Sequence, residues 1–304
     1  MATKSATTLA GKTQRVEVTA RATGRSRRRV GTILLYFVLG ILAIIYFVPL
    51  YWVITASFKE TAELVRVPPT WWPQSFTLEH HLRVWATSKF LTYFINSFIY
   101  SGGTTLIVTF TSSLIAFVLV KHPSKYGDIL FALIVATMMV PMVTYFVPLH
   151  GLLVSIQQNL GIPMLNTYWG MILPWVLYPF GIFLMRQAMF SVPDDLIDAG
   201  KIDGASTLRI YWEVVVPLLR SNIMALAILV FIFRYSDLLW PLVVSTTSSM
   251  YPVTLGLVEY VGMYFTEYGQ FTAAAVLVIL PILILYLVLQ RNIIEGVALT
   301  GLKG

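Results

Sequence analysis

Long apolar stretches alternate with short polar segments along the chain from residue 30 onward. A helix needs about 20 apolar residues to cross the hydrocarbon core of a membrane, and six stretches reach that length. Each is bounded by charge or by clusters of proline, glycine and asparagine. The sequence therefore predicts an all-α, polytopic membrane protein with six transmembrane helices, near 31–55, 94–119, 128–149, 167–187, 223–245 and 271–290.

Proline occurs inside several of these stretches. Proline interrupts a soluble helix because it lacks the backbone donor, whereas neighbouring helices in a membrane protein can satisfy the freed carbonyls. Kinked helices around a pathway are therefore compatible with the positions of Pro49, Pro141, Pro148, Pro174, Pro179 and Pro281.

The composition disfavours a soluble enzyme. Of 304 residues, 57% are hydrophobic and only 12% are charged, about half the charge of an average soluble domain. The chain has no cysteine, which excludes disulfides, thiolate nucleophiles and thiolate zinc sites. Its four histidines are scattered, and we expect neither a metal nor a cofactor to be held by this chain.

The basic residues indicate the orientation in the membrane, because translocation disfavours positive charge in short loops. With the N-terminus inside, sixteen of the 21 lysines and arginines fall in inner segments and four, between Lys59 and Lys89, in outer ones. Both termini are therefore predicted to be cytoplasmic. The net charge of +7 is a topology signal, with contact to anionic lipid as a secondary role and no nucleic acid as a partner.

The first 29 residues differ from the rest. They hold eight basic residues, one acidic residue and almost nothing that could build a core, which predicts a disordered cytoplasmic tail over 1–29. The apolar run after it exceeds the roughly 7–15 residues of a cleavable signal peptide. We therefore expect a membrane domain over 30–304.

One inner segment, 188–222, contains its own folding signals. Pro193 suits a first helical turn, and the two aspartates after it lie where the helix dipole favours carboxylates. Gly204 can take the left-handed conformation that ends a helix, and Ser206 can cap the next one. The pattern predicts a helical hairpin that is either a docking element or a solvated connector between spans.

Three short motifs of this hairpin occur in a characteristic order before the fifth span: Asp198-Ala199-Gly200, Ile202-Asp203-Gly204-Ala205 and Pro217-Leu218. The hairpin resembles the EAA loop of bacterial ABC-importer permeases. It departs from that pattern at three positions. This chain has Asp198 where the pattern has glutamate, Gly200 where it has alanine and Val216 where it has leucine.

Further motifs are more specific: Asp203–Ser206, Trp212–Pro217, Leu239–Leu242 and the C-terminal segment from Gln290. They resemble the MalG-like branch of carbohydrate-uptake permeases, which includes the glycerol-3-phosphate permeases. The similarity covers roughly 30–304. It implies the ABC type I importer permease fold, a bacterial inner-membrane location and a sugar or polyol as the solute.

The resemblance also implies a mechanism in which the hairpin sits in a cleft of a cytoplasmic ATPase. Closure of two ATP-binding subunits would move the membrane helices between inward-open and outward-open states. The other implied partners are a second, MalF-like permease and an extracytoplasmic solute-binding protein. ATP and Mg would be bound by the partner, since no phosphate-binding loop occurs in this sequence. The implied docking residues are Asp198, Ala199, Gly200, Asp203, Gly204, Ala205 and Pro217.

Arg234 and Asp237 lie inside the fifth predicted span, where ionisable groups are costly. One hypothesis is an internal ion pair that fixes packing or closes a gate. In the other, the pair contacts a polar solute, and Tyr235 and Trp240 stack on a sugar ring. An arginine in the pathway would suit an anionic, glycerol-phosphate type of solute. Two further polar positions in spans, Asn96 and Tyr145, are candidates for lining the path or for bonding neighbouring helices.

Three functional classes follow. An ABC-importer permease, without its own ATPase site, accounts for the hairpin, the absent phosphate loop and the six spans. A secondary transporter would require acidic residues in several spans, and only Asp237 lies clearly within one. A membrane enzyme would require a catalytic constellation, and the sequence shows none.

Overall fold

The structure, a computed structural model, describes residues 31–87, 89–262 and 267–301. The predicted tail over 1–29 lies outside the described residues. Within the described part the chain is helical and contains no strand, with an isolated antiparallel bridge between Lys59 and Phe76. The predicted all-α class is confirmed.

The helices are numbered in chain order. They are α1 (Gly31–Ala56), α2 (Thr61–Leu64), α3 (Glu79–Thr87), α4 (Phe90–Lys121), α5 (Lys125–Thr137), α6 (Phe146–Leu160), α7 (Tyr168–Ile172), α8 (Pro179–Met189), α9 (Asp194–Ile202), α10 (Thr207–Ile210), α11 (Val216–Leu218), α12 (Arg220–Tyr235), α13 (Leu239–Val244), α14 (Val253–Gly256) and α15 (Tyr268–Gly301). Shorter 3₁₀ turns cover Met142–Tyr145, Leu173–Trp175, Ser248–Met250 and Leu257–Tyr260, and a π-helical turn covers Tyr211–Val215.

The chain forms two units, 1–56 and 57–304. The described part of the first unit is the single helix α1. Its 26 residues extend about 39 Å at 1.5 Å per residue, more than the roughly 30 Å of a hydrocarbon core. The sequence predicted a span over 31–55, and α1 begins at the same residue and ends one residue later.

In the second unit, α4 and α15 are continuous and apolar enough to cross a membrane. They correspond to the helices predicted over 94–119 and 271–290. Pro281 lies inside α15 without ending it. Of the helices in this unit, α4 is central, because it packs against both α8 and α12.

Three predicted spans are bent rather than straight. α5 meets the Met142–Leu160 segment at 99°, the Tyr168–Trp175 segment meets α8 at 44°, and the Thr207–Leu218 segment meets α12 at 80°. Two of the breaks contain or adjoin the prolines Pro141 and Pro179, which cannot donate to the helical ladder. By length and composition, the described residues contain three helices able to cross a membrane, or six if each bent pair is one span.

The segment predicted as one helix over 223–245 has an additional break. Helix α12 ends at Tyr235 and α13 begins at Leu239. Asp237 stabilises the new start, since its Oδ1 accepts a hydrogen bond from the N–H of Trp240 at 3.3 Å. Arg234 therefore lies in the last turn of a helix and not in mid-span.

Candidate coupling loop and buried ion pair

The first half of the candidate coupling loop is helix α9. Pro193 occupies its N-cap, and Asp194 and Asp195 lie in its first turn, where carboxylates interact favourably with the helix dipole. The helix ends at Ile202 with Asp203 as its C-cap, and Gly204 follows with a φ of +76°. Only glycine adopts this conformation without a steric penalty. The predicted glycine stop is confirmed.

The second half of the loop begins with a capped helix. The Ser206 Oγ accepts a hydrogen bond from the N–H of Arg209 at 3.3 Å, as the sequence predicts. Nε of Arg209 donates to Glu213 at 2.9 Å. A π-helical turn, Tyr211–Val215, then leads into α11. Pro217 in α11 has no N–H to continue the regular pattern, which fits the wider turn before it.

The two halves pack on each other through apolar side chains and leave most of the predicted docking residues exposed. Ile197 of α9 and Ile210 of α10 are each only 3% exposed. A Cβ at Gly200 would lie 3.0 Å from Cγ1 of Ile210, so the two halves approach each other closely at this glycine. Among the docking residues, Gly200 and Ala205 are half-buried, and those exposed are Asp198, Ala199, Asp203, Gly204 and Pro217.

The outer face of α9 carries carboxylates at an accessible position. Asp195, Asp198 and Asp203 are all exposed, and Asp198 is paired with Lys201 at 2.8 Å across one helical turn. An exposed pair of this kind contributes about 0–1 kcal/mol, so its carboxylate can exchange partners at little cost. The face can therefore bind basic groups of another protein.

A contact that the sequence analysis missed ties this loop to α4. Nζ of Lys121 donates to the carbonyl of Val192 and to Oδ1 of Asp194, both at 2.6 Å. The hydrogen bond and the charge of Lys121 lower the pKa of Asp194. In the sequence, Lys121 served only as an orientation signal, since its partners lie 71 and 73 residues away.

Arg234 and Asp237 form a buried ion pair. Nη1 of Arg234 donates to Oδ2 of Asp237 at 3.2 Å, and the two side chains are 6% and 7% exposed. The guanidinium lies over the ring of Trp175, 3.6 Å from its centroid. Asp237 also accepts hydrogen bonds from the Tyr100 hydroxyl at 2.8 Å and from the N–H of Trp240. Because both charges have partners within the protein, the geometry favours the internal ion pair.

The two aromatic residues proposed to stack on a sugar are fully buried. Nε1 of Trp240 donates to carbonyl oxygens of α7 at 3.3 Å. The Tyr235 ring packs against Phe98 and Phe231, with centroids 5.7 and 5.9 Å apart. Neither ring is accessible to a solute in this conformation.

Asn96 and Tyr145 also contact protein groups. Nδ2 of Asn96 donates to two carbonyls of the segment 249–251 at 2.9 and 3.0 Å, and its Oδ1 accepts from the Tyr168 hydroxyl at 2.6 Å. Tyr145 is half-buried and packs against Phe146, with centroids 5.9 Å apart. The Asn96 contacts correspond to the interhelical bonding that the sequence left as an alternative.

Of the predicted path residues, the structure brings together Arg234, Asp237 and Trp240. Trp175, Tyr100 and Tyr178 also belong to the cluster and were not predicted. The sequence does not distinguish an aromatic side chain that packs in an apolar core from one that contacts a charged group. No local pattern therefore identified these aromatic residues.

Comparison with known proteins defines the class of this molecule. The family described as binding-protein-dependent transport system inner membrane component matches residues 109–298, more than half of the chain. The chain belongs to this family. It is a permease subunit of an ABC importer, and no enzymatic activity is indicated.

Two relatives illustrate the similarity. The arabinooligosaccharides transport system permease protein AraQ of Bacillus subtilis is 29% identical over 266 residues, which cover 86% of this chain and 92% of that protein. The diacetylchitobiose uptake system permease protein NgcG of Streptomyces coelicolor is 30% identical over 283 residues, which cover 92% of this chain and 91% of that protein.

The fold is also known from a solved structure, the crystal structure of a bacterial ABC transporter involved in the import of the acidic polysaccharide alginate. One of its chains matches with a TM-score of 0.72 and 22% identity, covering 86% of this chain and 96% of that chain. At this identity the match supports the fold alone. The ABC-transporter permease fold implied by the resemblance is confirmed.

Proposed function

We propose that this permease subunit imports a sugar-type solute and that α9, with the turn at Gly204, is its docking element for a separate ATPase. The observation that carries the proposal is the exposed acidic face of α9. On its opposite side Ile197 is buried in the hydrophobic core, while Asp198 and Asp203 are exposed. A helix presented in this way offers a partner both shape and charge.

The proposal includes six spans with both termini in the cytoplasm. Its support is the three continuous helices, the three bent pairs of sufficient length, and the excess of lysine and arginine in segments on the α9 side. On this topology α9 faces the cytoplasm, and the segment 57–89 faces the outside. The basic tail over 1–29 would lie beside anionic lipid head groups.

The proposed complex has the partners of an ABC importer. Two ATP-binding subunits would bind ATP and Mg, a MalF-like permease would form the other half of the pore, and a solute-binding protein would deliver the solute from outside. The family description itself names dependence on a binding protein.

A sugar fits better than a phosphorylated solute. Relatives named for arabino-oligosaccharides, diacetylchitobiose and sn-glycerol 3-phosphate are about equally similar to this chain, so the surroundings of Arg234 carry the preference. Arg234, the residue that would suit an anionic solute, is neutralised by Asp237 and covered by Trp175. No uncompensated positive charge is therefore offered at this position.

The test is copurification followed by reconstitution. An ATPase subunit should copurify with the chain, and the complete transporter should increase its ATP turnover when the binding protein and a saccharide are present. The probes are arabino-oligosaccharides, diacetylchitobiose and glycerol 3-phosphate. Stimulation by glycerol 3-phosphate alone would overturn the sugar assignment, and failure of any ATPase to copurify would overturn the docking element.

A further inference from the structure

Helix α4 connects the candidate coupling loop to the buried ion pair. About a third of the way along α4 the Tyr100 hydroxyl donates to Asp237, and at the C-terminal end of the helix Lys121 binds the start of α9. The two residues are about 32 Å apart along a helix that rises 1.5 Å per residue. A displacement of α9 that α4 follows would therefore reach the ion pair.

The attachment between α4 and α9 is made by a buried lysine, Lys121. The Lys121 side chain is only 4% exposed, although Asp194 is 80% exposed. A buried ammonium group needs partners to offset its lost hydration, and Lys121 has a carbonyl and a carboxylate, both at 2.6 Å. Charge-assisted hydrogen bonds of this length are stronger and more directional than apolar contacts.

A second attachment lies after the loop turns back. The hydroxyls of Ser113 and Tyr211 are hydrogen-bonded at 2.6 Å and both are buried. The ring of Phe117 packs against Tyr211, with centroids 5.5 Å apart. The loop is thus held on α4 before α9 and again after α10, while α9 itself contributes the apolar contact of Ile197.

We propose that Lys121 is a positioning residue for energy coupling, which fastens the N-terminus of α9 to α4 so that the two helices move as one body. The inference rests on the proposed function, in which the ATPase acts on α9. Without Lys121, α9 keeps its apolar contact, which lacks directionality and allows the helix to tilt. When the ATPase moves α9, part of the movement is then confined to α9, and α4 moves less.

The experiment measures the distance between α9 and α4 in the assembled complex. The chain contains no cysteine, so spin labels can be placed on Leu106→Cys in α4 and Ile202→Cys in α9, which are 74% and 85% exposed. The complex is compared without nucleotide and after trapping with Mg-ATP and vanadate. The variants are Lys121→Met and Lys121→Arg, with Lys125→Met as the matched control because Lys125 is an exposed lysine at the same edge.

In the wild-type chain and in Lys125→Met, we expect one distance distribution in both states. In Lys121→Met the distribution should broaden or shift on trapping, and Lys121→Arg should restore most of the wild-type behaviour because it keeps the charge. ATP-driven uptake per ATP hydrolysed should fall by about fivefold or more in Lys121→Met, in the range of typical coupling free energies. A role confined to folding would lower yield without changing the distance on trapping.

A second variant, Asp194→Asn, tests the same attachment from the side of an exposed residue. It should show the same shift in distance at smaller amplitude, because the hydrogen bond from Lys121 to the carbonyl of Val192 remains. Identical distributions in wild type and Lys121→Met, with the ATPase bound, would overturn the role of Lys121 and leave the docking element intact. Absence of a copurified ATPase with the wild-type chain would overturn both.

Discussion

Two arginine–carboxylate pairs in this chain have the same chemistry in opposite surroundings. The pair of Arg234 and Asp237 is buried, whereas Arg209 and Glu213 are 64% and 61% exposed. Breaking a buried pair leaves an uncompensated charge and costs about 3–5 kcal/mol, whereas an exposed helical pair contributes about 0.3–0.5 kcal/mol. Burial and not sequence spacing decides what each pair contributes.

Arg234→Gln should therefore lower the free energy of unfolding by about 3 kcal/mol or more, since Asp237 loses its counter-ion. Arg209→Gln, the matched control, should change it by less than about 0.5 kcal/mol. Thermal unfolding of the purified protein in detergent measures both. Equal effects of the two variants would contradict a structural role for the buried pair, and a loss of uptake confined to anionic solutes would favour charge recognition.

Gly204→Val should uncouple ATP hydrolysis from uptake, because valine resists the φ of +76° that the turn requires. Gly161 ends α6 with a φ of +68°, and neither glycine has an atom within 4 Å of its would-be Cβ. Gly161→Val is therefore a control with the same backbone strain outside the loop. The measurement is uptake per ATP hydrolysed in vesicles. Normal coupling in Gly204→Val would contradict the docking role of the turn.

At the scale of helices, small residues set how closely the elements approach. A Cβ at Gly181 of α8 would lie 2.6 Å from Oγ of Ser112 in α4, so the two helices meet where neither has a large side chain. Such contacts are a general feature of membrane helix packing. The spacing between α4 and α8 depends on them.

Gly181→Ala should push α8 away from α4 and destabilise the protein by about 1–3 kcal/mol, as overpacking does in a filled core. Gly102→Ala in α4 is the control, since no atom lies within 4 Å of the position where its Cβ would be. Thermal unfolding in detergent compares them. If Gly181→Ala were as stable as Gly102→Ala, the close approach of the two helices would not limit packing here.

The sequence predicted helices where the signal is local. The existence of α1, α4 and α15 and the glycine stop at Gly204 followed from apolar runs and turn chemistry, although α4 and α15 extend beyond the predicted bounds at both ends. The bends between α5 and α6 did not, because proline permits a break without fixing its angle. The contacts of Lys121 and Trp175 depend on residues far away in the chain, which a periodic pattern does not report.

At the scale of the whole molecule, the orientation in the membrane decides whether the acidic face of α9 is accessible to a cytoplasmic partner. The proposed topology places α9 in the cytoplasm and the segment 57–89 outside, on the opposite surface. The balance of basic residues supports this arrangement. An ATPase can reach α9 only if the arrangement is correct.

Single cysteines test the orientation directly. Val67→Cys lies in the proposed outer segment and Ile202→Cys at the end of α9, and the native residues are 89% and 85% exposed. In right-side-out membrane vesicles, a membrane-impermeant maleimide should label Val67→Cys at once and Ile202→Cys only after permeabilisation. The cysteine-free wild-type chain is the control. The reverse pattern would contradict cytoplasmic termini.

The hydroxyl groups along the middle of α4 have a consequence for movement. Ser101, Thr105 and Thr109 each donate to a carbonyl of α4 itself, four residues earlier. Other hydroxyls of α4 bond to other segments: Tyr100 to Asp237, Thr111 to the carbonyl of Val176 and Ser113 to Tyr211. A neighbouring helix that shifts along this part of α4 breaks none of the three bonds within the helix, so the hydroxyls of Ser101, Thr105 and Thr109 add no resistance to such a movement.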